Sequence, residues 1–220
     1  MALTKFNFNS FDLTTAASKG LAFNSSANGF ETSTPGSMTL IKTLTASSSA
    51  TLSFVDGSSD VVLDSTYPVY VFKCINIHAS SSGENFHLEG STDTGSSYGI
   101  TKTTTQFQAK HNEADNDTAL QYSTAGDLAQ STSPIDIGRS INTGNDECLC
   151  ADITIFNPSS TTFVKHFISV ENENYTGTGI LQNYTAGYFN TTSAIDAFKF
   201  SFSGGNIDAG TIKLYGIKDS

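Results

Sequence analysis

The feature that most restricts what this chain can fold into is a strict two-residue alternation near its C-terminus. Across residues 194–203, Phe198, Phe200 and Phe202 alternate with Lys199 and Ser201, and across residues 210–218, Ile212 and Leu214 flank Lys213. Successive side chains of a strand point to opposite faces, so this spacing specifies antiparallel strands with one apolar face and one wet face. Ser203-Gly204-Gly205-Asn206, between the two runs, is a turn.

The same grammar runs back through the chain. Residues 38–45 and 50–55 read as a first strand pair, with Leu40, Leu44, Leu52 and Phe54 facing inward, followed by the turn cluster Asp56-Gly57-Ser58-Ser59-Asp60. Residues 69–78 are apolar on both faces: Val69, Val71, Ile75 and Ile77 on one, Tyr70, Phe72 and Cys74 on the other. Such a strand lies centrally in a sandwich or touches another subunit. Further strands are expected at residues 85–90 (Phe86 and Leu88 inward), 101–110, 147–156, 163–170 and 179–189. Roughly ten strands at this spacing predict an all-β fold, an antiparallel two-sheet sandwich of jelly-roll type, over residues 37–220. Residues 111–146 are the least regular; one or two helical turns are expected within 115–129, capped by Asp117 or Thr118. Residues 1–36 scatter Phe6, Phe8, Phe11, Phe23 and Phe30 without a sustained period, and Thr34-Pro35-Gly36 closes them off. They read as an N-terminal arm or an edge segment.

Composition agrees and removes several functions. Ser and Thr number 59, there are 16 Phe and 8 Tyr but no Trp, and only 15% of residues are charged. Thr, Phe and Tyr suit a pleated surface, and good helix formers are scarce. Eleven Lys and Arg against 21 Asp and Glu give a net charge of −10, with no basic run, so nucleic acid is not an expected partner. No stretch approaches the ~20 apolar residues that cross a bilayer, so no membrane partner is expected either. Residues 1–10 show no hydrophobic run of signal-peptide type. Cys74, Cys148 and Cys150 do not make a disulfide framework. Cys148 and Cys150, two apart, are expected on one strand face as buried free thiols.

Candidate chemistry is sparse. A nucleophilic triad needs a Ser or Cys beside a His oriented by a carboxylate. His78, His87, His111 and His166 come without a G-x-S-x-G elbow, and three of them fall in or at the ends of strands. Glycosidase clefts stack sugars on aromatic rings, often Trp, which is absent here. No catalytic residue, cofactor or essential metal is expected. The one pattern suited to a hard cation is Glu113, Asp115 and Asp117 in HNEADNDT, which lacks the glycine and terminal glutamate of an EF-hand loop and reads first as a solvated acidic loop, with a cation site as the weaker alternative.

Over roughly residues 50–218 the chain carries DSTYPVYVFKCINIH, LEGSTDTGSSYGITKTTTQFQAKH, LAQST, IFNPSSTTFVKHFIS, AGYFNTTSAIDAFKF and SGGNIDAGTIKLYGIK. As a set these resemble structural proteins of marine tailed bacteriophages, such as cyanophages; residues 1–36 fall outside the resemblance. It implies a non-enzymatic virion protein, made in the host cytoplasm and carried in the particle as a capsid decoration protein or a tail or fibre component. The expected partners are other virion proteins and its own copies, as a homo-oligomer with a trimer expected, because residues 69–78 are apolar on both faces. The alternative is a carbohydrate- or receptor-binding β-sandwich module that meets a host surface glycan through the 111–146 loops.

Overall fold

The computed structural model describes residues 20–23, 26, 30–33 and 37–218. The chain forms two compact units, residues 1–39 and 40–220. In the first, β1 (Gly20–Phe23) and β2 (Phe30–Ser33) make an antiparallel hairpin in which Phe23 pairs with Phe30, their rings stacked 4.9 Å apart. Phe6, Phe8 and Phe11, on which the arm reading also drew, lie outside the described residues.

The rest is a β-sandwich. Its strands are β3 (Met38–Thr45), β4 (Leu52–Val55), β5 (Val69–Ala79), β6 (Glu84–Ser91), β7 (Lys102–Asn112) and β8 (Thr118–Tyr122). They continue with β9 (Ile135–Ile141), β10 (Leu149–Phe156), β11 (Lys165–Tyr175), β12 (Gly179–Phe189), β13 (Ala197–Phe202) and β14 (Ile207–Ile217). One sheet has eight strands in the order β3-β14-β5-β10-β11-β12-β7-β8, and the other has four in the order β4-β13-β6-β9. From β4 through β14, neighbouring strands run antiparallel.

The order shows how the chain is wound. The block β3-β14-β5-β10 faces β4-β13-β6-β9, the first and last strands of the sandwich pair, and the path crosses between sheets as two Greek keys require. This is the jelly roll expected from the sequence. Two hairpins are added to it. β7-β8 is inserted between β6 and β9, and β11-β12 between β10 and β13; they dock side by side and double the width of one sheet.

Phenylalanines fill the space between the sheets. Phe72 of β5 lies 5.2 Å from Phe54 of β4, 5.4 Å from Phe198 and 5.2 Å from Phe200 of β13, ring centre to ring centre. Phe86 continues the series to Phe200 and Phe202, and Phe189 continues it from Phe198 to Phe167. Edge-on and offset pairs of this kind add about 0.5–1.5 kcal/mol each beyond the area they bury.

Several expectations are corrected. Leu40, expected inside, is 50% exposed, and Leu44 is only partly buried. Ile77 does not share a face with Val71 and Ile75. Leu149 pairs with Ile77 but Ala151 pairs with Cys74, so β5 carries an extra residue, and Asn76 takes it up at a φ of 52°. This bulge turns Ile77 inward beside Tyr70, Phe72 and Cys74. Within residues 111–146 the structure has two strands, β8 and β9, and one 3₁₀ turn, Thr124–Gly126, which starts after Ser123 and not at Asp117 or Thr118. Local helix signals lost there because β7 offers β8 a free edge with a continuous register from Phe107↔Tyr122 to His111↔Thr118.

Candidate functional site

The added strands β11, β12, β7 and β8 reverse the usual polarity of a sheet. Their inner face is polar and largely buried. Register places Gln106, Thr185 and Ser169 in one row across β7, β12 and β11, then Gln108, Asn183 and Glu171, then Lys110, Leu181 and Glu173. Their outer face sets apolar and aromatic residues among polar ones, which include His111, His166, Asn172, Asn174 and Gln182. It carries Phe107, Leu120, Tyr122, Ile168 and Ile180, 46%, 77%, 59%, 50% and 49% exposed, with Val170, Tyr184 and Tyr188 between them. Phe107 and Tyr184 are directly opposite and stack face to face at 4.6 Å. No Asp, Glu, Lys or Arg occupies an outward position on these four strands. In a chain of net charge −10 that is an unusual surface.

The inner rows hold a buried acid pair. Glu171 is fully buried and Glu173 is 4% exposed. Asn183 donates from Nδ2 to Glu171 Oε2 at 2.8 Å, and Gln106 donates from Nε2 to Thr185 Oγ1 at 2.8 Å and to the Asp136 carbonyl at 3.2 Å. β9 lies over them: Gly138 passes so close that a Cβ there would sit 3.3 Å from Glu171 Oε1. Burial pushes both carboxyls up, Glu173 to about 8 and Glu171 well above the usual range, despite the Arg139 main-chain N–H and guanidinium near Glu173. Burial in so dry a place favours the protonated form of both carboxyls. At the far end of the inner face Lys102 and Lys165 flank Phe189, fully buried, and their ammonium groups donate only to carbonyls: Ile100 and Thr132 for one, Phe163 and Thr191 for the other. Burial lowers the Lys102 pKa to about 8.

Beyond the acid pair the inner face opens into a cleft of about 240 Å³ lined by Gln108, Lys110, Gln121, Ser123, Arg139, Ser140 and Tyr175. Neither glutamate lines it. It is polar, and smaller than the ~300–1,000 Å³ of most ligand pockets.

Comparison of the chain with protein-family models, with curated protein sequences and with solved structures finds no match in any of the three. The site is therefore read from its own residues.

The acidic loop expected to suit a cation is tied up locally. Asp115 Oδ1 lies 3.0 Å from His111 Nε2, and Asp117 Oδ2 accepts from Lys110 Nζ at 2.8 Å. Asn112 organises the turn, its Oδ1 accepting the Asn116 and Asp117 N–H groups at 3.1 Å. Glu113 instead lines a groove with His111, Cys148 and Cys150, so the three acids do not converge. Among the described residues no group of three or more His, Cys, Asp and Glu side chains is placed to hold a metal ion.

The histidines are spread over the molecule. His87 Nε2 is 3.1 Å from Asp136 Oδ1, and Ser201 stands opposite His87 on the next strand, so a Ser–His–Asp row crosses β13, β6 and β9. Ser201 makes no hydrogen bond to His87, and Asp136 also accepts from Asn85 Nδ2 at 3.0 Å. The row is cross-strand packing. His78 meets the Gly144 carbonyl at 3.1 Å, and His166 leans on Tyr188. All three cysteines are free; Cys74 is buried, but Cys148 and Cys150 are only half-buried, which corrects the expectation for them. Cys150 Sγ accepts the N–H of Asn76 at the β5 bulge.

Sequence reasoning missed the reversed polarity. A signal for it exists. Along residues 165–173, Lys165, Ser169, Glu171 and Glu173 alternate with His166, Ile168, Val170 and Asn172, but the rule that buried positions are apolar turns the second set inward, the opposite of what the structure shows.

Proposed function

We propose that this chain is a non-enzymatic structural component of a tailed-bacteriophage particle, a capsid decoration protein or a part of the tail or fibre. It acts through contacts with copies of itself and with other virion proteins. One observation carries the reading: the broad, uncharged, aromatic outer face of β11, β12, β7 and β8. Solvated apolar area of that extent marks an interaction surface, since burying it gains about 25 cal/mol per Å². The sequence resemblance to marine phage virion proteins supports the same assignment. So does a surface rich in Ser, Thr and Asn, because contacts that depend little on charge survive high salt.

A direct test adds purified chain to particles that lack it, with Phe107→Ser and Tyr184→Ser as the paired variant. The expected result is saturable co-sedimentation that the variant loses. Wild-type chain that stays in the supernatant at every concentration contradicts the reading.

The cleft favours a second reading, a receptor-binding module for a host surface glycan. Gln108, Lys110, Gln121, Arg139 and Tyr175 offer donors and an aromatic edge of the kind that holds a sugar. Under that reading the isolated chain binds a glycan with millimolar-to-micromolar affinity, and Arg139→Ala abolishes binding while co-sedimentation is unchanged.

A further inference from the structure

The sandwich has four sheet edges, and three carry a device that blocks further pairing. β3 includes Lys42, β4 is four residues long, and β9 follows Pro134, contains Asp136 and Arg139 and breaks register twice against β6. Short strands, lysines, prolines, inward charges and bulges are how soluble proteins keep exposed edges from pairing with other chains. β8, five residues long, has none of the others. Its sequence, Thr118-Ala119-Leu120-Gln121-Tyr122, holds no charge, proline or bulge, and its register with β7 is unbroken. Leu120 and Tyr122 project from it to the outer face at 77% and 59% exposure.

We propose that β8 is a pairing edge for a second copy of this chain, joining two eight-stranded sheets antiparallel about a twofold axis through Leu120. The inference rests on the structural role proposed above and names the surface and partner that serve it. A twofold contact must be self-complementary. With Leu120 opposite its own copy, Thr118 faces Tyr122 and Ala119 faces Gln121. All outward members of this register are apolar or hydroxylated, and no like charges meet. Charge also selects the place. Two copies of net charge −10 repel over most of their surface, and the outer face of the added strands is where they meet without opposing carboxylates. Of the acids beside this edge, Asp117 is paired with Lys110 Nζ at 2.8 Å and Asp115 lies 3.0 Å from His111 Nε2, while Asp127 Oδ2 accepts from the Tyr122 hydroxyl at 2.7 Å. Pairing extends the uncharged aromatic face without interruption across both copies.

Light scattering after size exclusion of the full chain tests this at tens of micromolar. The wild type is expected at twice the 23.3 kDa chain mass, and still so in 1 M salt, where repulsion between acidic copies is screened. Leu120→Lys places a charge against its own copy, and Thr118→Pro removes an edge donor, because Ser123 N–H donates to the Gln106 carbonyl and alternation then turns the Thr118, Leu120 and Tyr122 N–H groups to the free edge. Each is expected to weaken the dimer by about a hundredfold with circular dichroism unchanged. Phe163→Ser, at an exposed apolar residue elsewhere, should not. A monomeric wild type, or a dimer that survives both edge variants, overturns the proposal. So does amide exchange showing β8 protected only on particles, which makes another virion protein the occupant. A monomer that still binds particles sinks the edge pairing alone; a dimer that never binds them sinks the particle role alone.

Discussion

Asn183 of β12 stands directly opposite Glu171 of β11 and donates to its Oε2 at 2.8 Å, in a place from which water is excluded. Glu173, two residues on, shares that burial. Both folded-state pKa values lie above the ordinary carboxyl range, so between about pH 4.5 and 8 the folded chain holds more protons at these sites than the unfolded one. Their contribution to stability is complete below the unfolded pKa, falls as pH rises through that window, and levels off once the folded pair ionises. Glu173→Gln keeps the shape and removes the titration. Relative to wild type it should gain roughly 1–3 kcal/mol between pH 5 and 8, at up to about 1.4 kcal/mol per pH unit. Urea titrations at pH 5, 6.5 and 8 measure this; a difference that does not change with pH rejects it.

Phe200 touches Phe72, Phe86 and Phe54 in the centre of the core and is fully buried. Phe200→Ala should cost about 3–5 kcal/mol, read as a lower urea midpoint at unchanged slope. A loss below about 1 kcal/mol shows that the aromatic series does not hold the two sheets together.

That core was legible in the sequence because Phe198, Phe200 and Phe202 alternate with polar residues and all three turn inward. The jelly roll followed from strand number and turn spacing. Three things were not legible, for a common reason. Thr118–Tyr122 is too short to show a period, and becomes a strand only because β7 lies beside it. The inward Glu171 and Glu173 break the rule that buried positions are apolar, so their alternation with Ile168 and Val170 points the wrong way unless β9 is known to cover them. Asn76 is a third case: a one-residue bulge reverses the parity that the rest of β5 follows. Of the candidate site, the loop Glu113, Asp115 and Asp117 was visible and proves self-contained, whereas the uncharged outer face needed the register of four strands.

Gly216 of β14 has the Tyr67 ring pressed against it, and a Cβ there would lie 2.3–2.6 Å from three ring carbons. Gly216→Ala has to displace a ring that is 8% exposed and packed edge-on against Tyr70. The expected cost is about 1–3 kcal/mol, seen as a lower melting temperature. A melting temperature equal to wild type means that the ring moves aside freely.

Chelation should leave the melting temperature unchanged, because Asp115 and Asp117 are already paired with His111 and Lys110. A fall of many degrees on adding EDTA, restored by calcium, identifies a bound cation that stabilises the fold.

The most direct measurement of the structural role is electron cryo-microscopy of purified particles, with the chain's sandwich fitted into the density. The expected result is the jelly roll at symmetry-repeated positions on the head or the tail, with the outer face of β7, β8, β11 and β12 covered by a neighbouring subunit. Particles in which no copy of the sandwich fits, or in which every copy leaves that face open to solvent, contradict it.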